Sequence, residues 1–141
     1  MEIKEYLDRY RKVIKDIERK QRLLKELKKD AISLHGVDYS KSRVSKTRNT
    51  EANYVHRLEQ VDSLERTIKK DIVKAEEIRE EITSFFNTNL DPMAAFIMGL
   101  RYIDGYVWDK IALISNYSEV TVRRKHRAGL EVCEKVIDNL K

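Results

Sequence analysis

Residues 108–124 read Trp108-Asp109-Lys110-Ile111-Ala112-Leu113-Ile114-Ser115-Asn116-Tyr117-Ser118-Glu119-Val120-Thr121-Val122-Arg123-Arg124, and this spacing fits a helix-turn-helix. Ile111, Ala112 and Ile114 or Ser115 would pack the first helix, with the small Ala112 where a second helix crosses closely. A sharp turn needs one residue at positive φ, which glycine supplies most readily and asparagine tolerates; Asn116 holds that place. Tyr117 then plugs the core, and Ser118 has the oxygen to cap the second helix.

A rotation of about 100° per residue puts Val122, His126, Gly129, Leu130, Cys133, Ile137 and Leu140 on the inward face of that helix. The outward face carries Glu119, Val120, Arg123, Arg124 and Arg127. Between Ser118 and Leu130 there are four Lys or Arg and one acid. A helix with such an edge suits the major groove, where arginine bridges guanine O6 and N7 and other cations neutralise phosphates. The expected DNA-binding residues are Ser118, Glu119, Val120, Thr121, Arg123, Arg124 and Arg127.

Upstream, Asp91 suits an N-cap and Pro92 the first helical position, where its missing N–H costs nothing. Met93, Phe96, Ile97, Leu100 and Ile103 predict the buried face of a helix ending at Asp104-Gly105, where Gly105 can take the left-handed conformation.

Further back the apolar pattern changes period. Ile3, Tyr6, Tyr10, Val13, Ile17, Leu24, Leu27, Ala31 and Leu34 recur at spacings of three and four, broken only at Lys20, which predicts a coiled-coil helix over about 2–34. A second run has Tyr54, Val61, Ile68, Ala75 and Ile82 at one seam position and Leu64, Ile78 and Phe85 at the other, flanked by Leu58 and Ile72. It predicts a helix over about 50–86. The intervening residues 35–50 read as a polar loop. Its Lys41, Arg43, Lys46 and Arg48 are candidates for phosphate contact, against the plainer reading of a solvated connection. Net charge is +7 over residues 1–50 and −3 over 51–90, which favours folding the two helices back on each other. The expected architecture is all-α: a long antiparallel coiled-coil hairpin over 1–88, then a helix-turn-helix domain over 89–141. An isolated hairpin exposes much of its apolar stripe, so self-association through the coiled coil, or packing against the C-terminal domain, is expected as well.

Composition narrows the function classes. The 141 residues carry a net charge of +5, with 38% charged residues, which permits nucleic-acid binding. The single cysteine, Cys133, cannot form an internal disulfide, and no secretory leader pattern begins the chain, so a cytoplasmic location is expected. The longest apolar run, Met93 to Leu100, is far below the roughly 20 residues of a bilayer-spanning helix. His56 and Glu59 sit three apart but have no third ligand nearby. Glu76, Glu77, Glu80 and Glu81 lie beside the seam as a solvated face. No phosphate loop, nucleophile elbow or zinc spacing occurs, so neither catalysis, cofactor nor metal is expected.

From Pro92 onward the order of features is a helix ending in Arg101-Tyr102-Ile103-Asp104-Gly105, Trp108 with Lys110-Ile111-Ala112, Tyr117-Ser118, then Val122 and a basic run ending in Leu130. This order resembles the region-four domain of bacterial sigma factors. It is especially similar to small phage and prophage regulators of the ArpU and RinA type, which also tend to carry a long helical N-terminal half. The resemblance implies a phage-linked transcriptional regulator, an activator of phage genes, working in a bacterial cytoplasm. It places the base-reading positions on Glu119, Val120, Arg123 and Arg124. Two positions depart from the family pattern. Lys125 stands where an apolar residue is usual, so either its stem lies along the core or the register shifts by one. Gly129 replaces an alanine, at about 1 kcal/mol of helix propensity unless close packing requires it. Two other readings stay open: a DNA-packaging protein like the small terminase subunit, and a module that docks on RNA polymerase.

Overall fold

The computed structural model describes residues 2–35 and 44–140, with side chains over 2–33 and 51–140. Over these residues it is all-helical, with five helices: α1 Ile3–His35, α2 Val44–Asn89, α3 Pro92–Tyr102, α4 Trp108–Ser115 and α5 Glu119–Asn139. No described helix is long and apolar enough to cross a membrane.

Neither α1 nor α2 contains a glycine or proline, so nothing within them breaks the hydrogen-bond ladder. α2 begins at Val44, six residues before the expected start. Residues 45–50 are polar, yet Lys46 and Arg48 are good helix formers and no breaker separates them from the periodic run. The expected loop is shortened accordingly. Lys41 and Arg43 lie outside the described residues, as do the side chains of Lys46 and Arg48.

The chain divides into two compact units, Met1–Ile14 with Lys74–Lys141, and Lys15–Val73. This division falls within α1 and α2.

In the Lys15–Val73 unit, α1 and α2 are bridged by Lys20 to Asp71 and by Lys28 to Glu65 at 3.1 Å. Rising positions on one helix meet falling positions on the other, the order of an antiparallel pair. Ile17, Ala31 and Ile68 are buried, while Leu24, Leu27, Val61 and Leu64 are half-buried. Leu58 and Ile72 remain 43% and 42% exposed, so the apolar face of α2 is wider than α1 covers. Lys20, the break in the seam, also bonds Asp16 at 2.8 Å. These two carboxylates, Asp16 first, hold its ammonium pKa above the ordinary lysine value.

In the other unit, one core joins Ile3 and Leu7 of α1, Ile82 and Phe86 of α2, Ala95, Met98 and Tyr102 of α3, Ile103, and Cys133 of α5. Leu7, fully buried, lies off the expected seam because it packs on the C-terminal helices. Tyr6 sits 5.4 Å from Phe85, centroid to centroid, and Arg9 pairs with Glu81 at 2.7 Å.

A second cluster, Ile97, Leu100, Ile111 and Val122, is flanked by Met93, Trp108, Ala112 and Tyr117. It packs α3, α4 and α5 together. The expected buried face of α3 needs one correction: Phe96 is 46% exposed, while Ala95 and Met98 are buried. The two cores take nearly opposite faces of α3, Ala95, Met98 and Tyr102 on one and Ile97 and Leu100 on the other, and Phe96 falls in the exposed strip between them.

The Asp91 carboxylate accepts from the Ala94 amide at 3.3 Å, and Pro92 follows at the start of α3. At the other end Gly105 has φ +71°, and the Tyr106 amide donates to the Leu100 carbonyl at 3.0 Å. A Cβ on Gly105 would also fall 2.6 Å from Nε of Arg11. The left-handed turn favours glycine here, and any larger residue would also have to displace the end of the Arg11 side chain.

Candidate nucleic-acid interface

α4 ends at Asn116, which has φ 64° and ψ 19° and is the only described non-glycine residue at positive φ. Its side chain tolerates the left-handed conformation that reverses the chain within a few residues. Tyr117 is packed against the second cluster. Ser118 then sits in extended conformation, and its hydroxyl accepts from the Thr121 amide at 3.2 Å and donates to the Thr121 hydroxyl at 2.8 Å.

From that cap α5 runs past α4 and α3. Val122, Gly129 and Cys133 are buried on its inner face, with Leu130 and Ile137 packed against the first core. Gly129 allows the closest approach: an added Cβ would stand 3.3 Å from Sδ of Met98. An alanine here would require the Met98 side chain to give by a few tenths of an ångström. Leu140 departs from expectation, being 80% exposed: the helix ends at Asn139, and Ile137 is the last of its residues packed against the core.

The outer face of α5 carries Val120 at 75% exposure and the exposed Arg123, Arg124 and Arg127. Ser118 is exposed, and Glu119 and Thr121 are half-exposed. All seven expected DNA-binding residues thus lie at or near one edge of the α5 N-terminal half. Arg123 donates to Glu119 at 2.8 Å. Neither Arg124 nor Arg127 has an ion-pair partner among the described residues. Lys125 is half-buried with its ammonium over the Tyr117 ring, 5.2 Å from the centroid. The stem therefore runs along the core edge while the charge reaches an aromatic face, and the register needs no shift.

Charges at the start of α5 are coupled to α4. Glu119 lies below the ordinary carboxylate range, chiefly because Arg123 hydrogen-bonds to it, with a further bond from Asp109. Asp109, in the first turn of α4, lies above that range because it shares the hydrogen bond with Glu119 and faces its charge. A proton taken up by this pair resides on Asp109 and leaves Glu119 free to hold Arg123.

Sequence reasoning missed an aromatic cluster behind the arginines. The His126 ring stacks on Tyr102 at 5.6 Å, meets the Trp108 edge at 4.7 Å, and its Nε2 lies 2.7 Å from the Tyr102 hydroxyl. Burial, with the nearby charges of Arg101 and Lys4, lowers the imidazole pKa to about 4. Burial also pushes the Tyr102 hydroxyl up to about 12. A phenol that keeps its proton and a neutral imidazole can share one hydrogen bond with neither group charged. The only sequence signal was the position of His126 on the inward face.

Among the described residues no three His, Cys, Asp or Glu side chains converge as a metal site would require. Glu76, Glu77, Glu80 and Glu81 are exposed, and Glu81 is engaged by Arg9 and the Tyr6 hydroxyl. Comparison with protein-family models, curated proteins and solved structures finds no match to this chain.

Proposed function

We propose that the chain is a sequence-specific duplex-DNA-binding transcriptional regulator that acts by binding and not by catalysis. The observation that carries this reading is the two-sidedness of α5: Val122, Gly129 and Cys133 are buried, while Val120, Arg123, Arg124 and Arg127 face solvent. A cationic ridge directly after a capped turn suits entry into a major groove. Glu119, Val120, Arg123 and Arg124 would read bases, and Ser118, Thr121 and Arg127 would contact phosphates.

On this reading α4, the turn and α5 form a helix-turn-helix of the sigma region-four kind, and the chain is a phage or prophage activator related to the ArpU and RinA regulators. The long helices would pair as an antiparallel coiled-coil hairpin, supported by the order of the Lys20–Asp71 and Lys28–Glu65 contacts. Their uncovered apolar residues, Leu58 and Ile72, favour a homo-oligomer. Two associated copies would address half-sites about 34 Å apart, or a multiple of that. Leu113 and Val107 on and beside α4 are 75% and 64% exposed, which favours docking on RNA polymerase as an additional activity. A DNA-packaging role finds no such specific support.

The test is selection of bound fragments from a random duplex pool. Enrichment of a defined motif is expected, with affinity falling steeply as salt rises. Joint Arg123→Ala and Arg124→Ala replacement should weaken binding to that motif by at least tenfold, each lost base contact costing about 1–3 kcal/mol. Unchanged affinity in a folded double variant rejects the assignment.

A further inference from the structure

Trp108, the one tryptophan of the chain, is half-buried at the first position of α4. Side chains from two other helices converge on its ring. The Arg101 guanidinium, from the last turn of α3, lies over it at 4.3 Å from the centroid. The Arg123 guanidinium, from α5, lies over it at 5.5 Å. His126, one turn further along α5 and tied to Tyr102, meets its edge at 4.7 Å. Arg101 is also anchored by donating to the Tyr106 carbonyl at 3.1 Å. The other two arginines of the ridge, Arg124 and Arg127, show no aromatic contact among the described residues.

A guanidinium is drawn to the electron-rich face of an indole, and tryptophan is the strongest such partner among the aromatic side chains. The Glu119–Arg123 pair alone is exposed, with side-chain accessibilities of 41% and 55%, and water screens such a pair heavily. Two holds of different geometry, a carboxylate and a ring face, restrict the arginine far more than either alone. An arginine that has already given up rotamer freedom meets its ligand at lower entropic cost. The ring is itself held, because the His126 ring packs on it at 68° with centroids 4.7 Å apart and it lies against the second cluster.

We propose that Trp108 is a positioning residue for Arg123: the indole, wedged by His126 and shared with Arg101, presents the Arg123 guanidinium in a set direction to the edge of a base pair. The inference rests on reading α5 as the DNA-recognition helix.

Two measurements on the full-length chain test it. In NMR spectra of the free protein, the side-chain Hδ and Hε resonances of Arg101 and Arg123 should be displaced upfield by the indole ring current, relative to those of Arg124 and Arg127. Equal shifts for all four overturn the proposal. In the second, Trp108→Leu, Trp108→Phe and wild type are titrated with the duplex enriched by selection and with a scrambled duplex of equal length. Loss of one exposed cation–π contact corresponds to roughly two- to fivefold, so Trp108→Leu should lose that much on the enriched duplex and none on the scrambled one. Trp108→Phe, which keeps a weaker ring, should fall between and carries the test should the leucine variant not fold. Equal losses on both duplexes, or none, overturn the proposal. A wild type that does not discriminate the duplexes removes the DNA reading and with it the role of Trp108. The displaced resonances would persist in that case, which separates it from failure of the geometry.

Discussion

His126 illustrates what a single residue contributes. Its imidazole must be neutral to sit between Tyr102 and Trp108, and its pKa in the folded chain is about 4 against an unfolded value near 6.5. Below pH 6.5 the unfolded chain takes up a proton that the folded chain refuses, so stability falls with acidification until about pH 4, where both forms are charged. The loss should be about 1–2 kcal/mol once the partial exposure of the ring to screening water is allowed for. Thermal unfolding at pH 7 and pH 4.5 checks this: His126→Asn should show a smaller drop in Tm than wild type, and an equal drop removes His126 as the cause. Asn116 and Ser118 were legible in the sequence because a left-handed turn and a helix cap are local demands that few side chains meet. The Tyr102–His126–Trp108 cluster was not, because residues 24 positions apart meet only through the crossing of α3 and α5.

Elements were legible where their ends carry chemistry. Asp91-Pro92 and Ser118 start α3 and α5 as expected, and each cap makes its bond. Ser118→Ala should therefore cost about 1 kcal/mol, measured by denaturant unfolding, while Ser118→Asp should retain most of the stability because its carboxylate can accept from the same amide. Equal stability of the alanine variant would mean that the Ser118 bond contributes nothing. The start of α2 was misplaced because the polar run Ser45 to Thr50 carries neither a cap box nor a breaker, and periodicity marks only the part of a helix that is buried. Phe96 was misplaced for a related reason: a period of 3.6 identifies a stripe but not which flank a second core occupies. Lys20, an interruption when read along one helix, is matched by Asp71 on the other.

For the molecule as a whole, the sequence showed an all-helical chain but not which helices share a core. Local period describes each helix alone, and the burial of Leu7 depends on α2, α3 and α5 arriving beside it. Leu7→Ala should accordingly destabilise the unit that contains α5 by about 2–4 kcal/mol, although it lies 111 positions before Ser118. Amide hydrogen exchange in α3 and α5 reports this directly; protection unchanged from wild type would show that the first turns of α1 are dispensable there. The same arrangement imposes an order on biosynthesis. Ile3 and Leu7 leave the ribosome long before Met98 and Cys133 exist, so they must wait, uncovered, for partners made much later. A chaperone that shields nascent α1 would act on a segment whose proper resting place is translated more than ninety residues later.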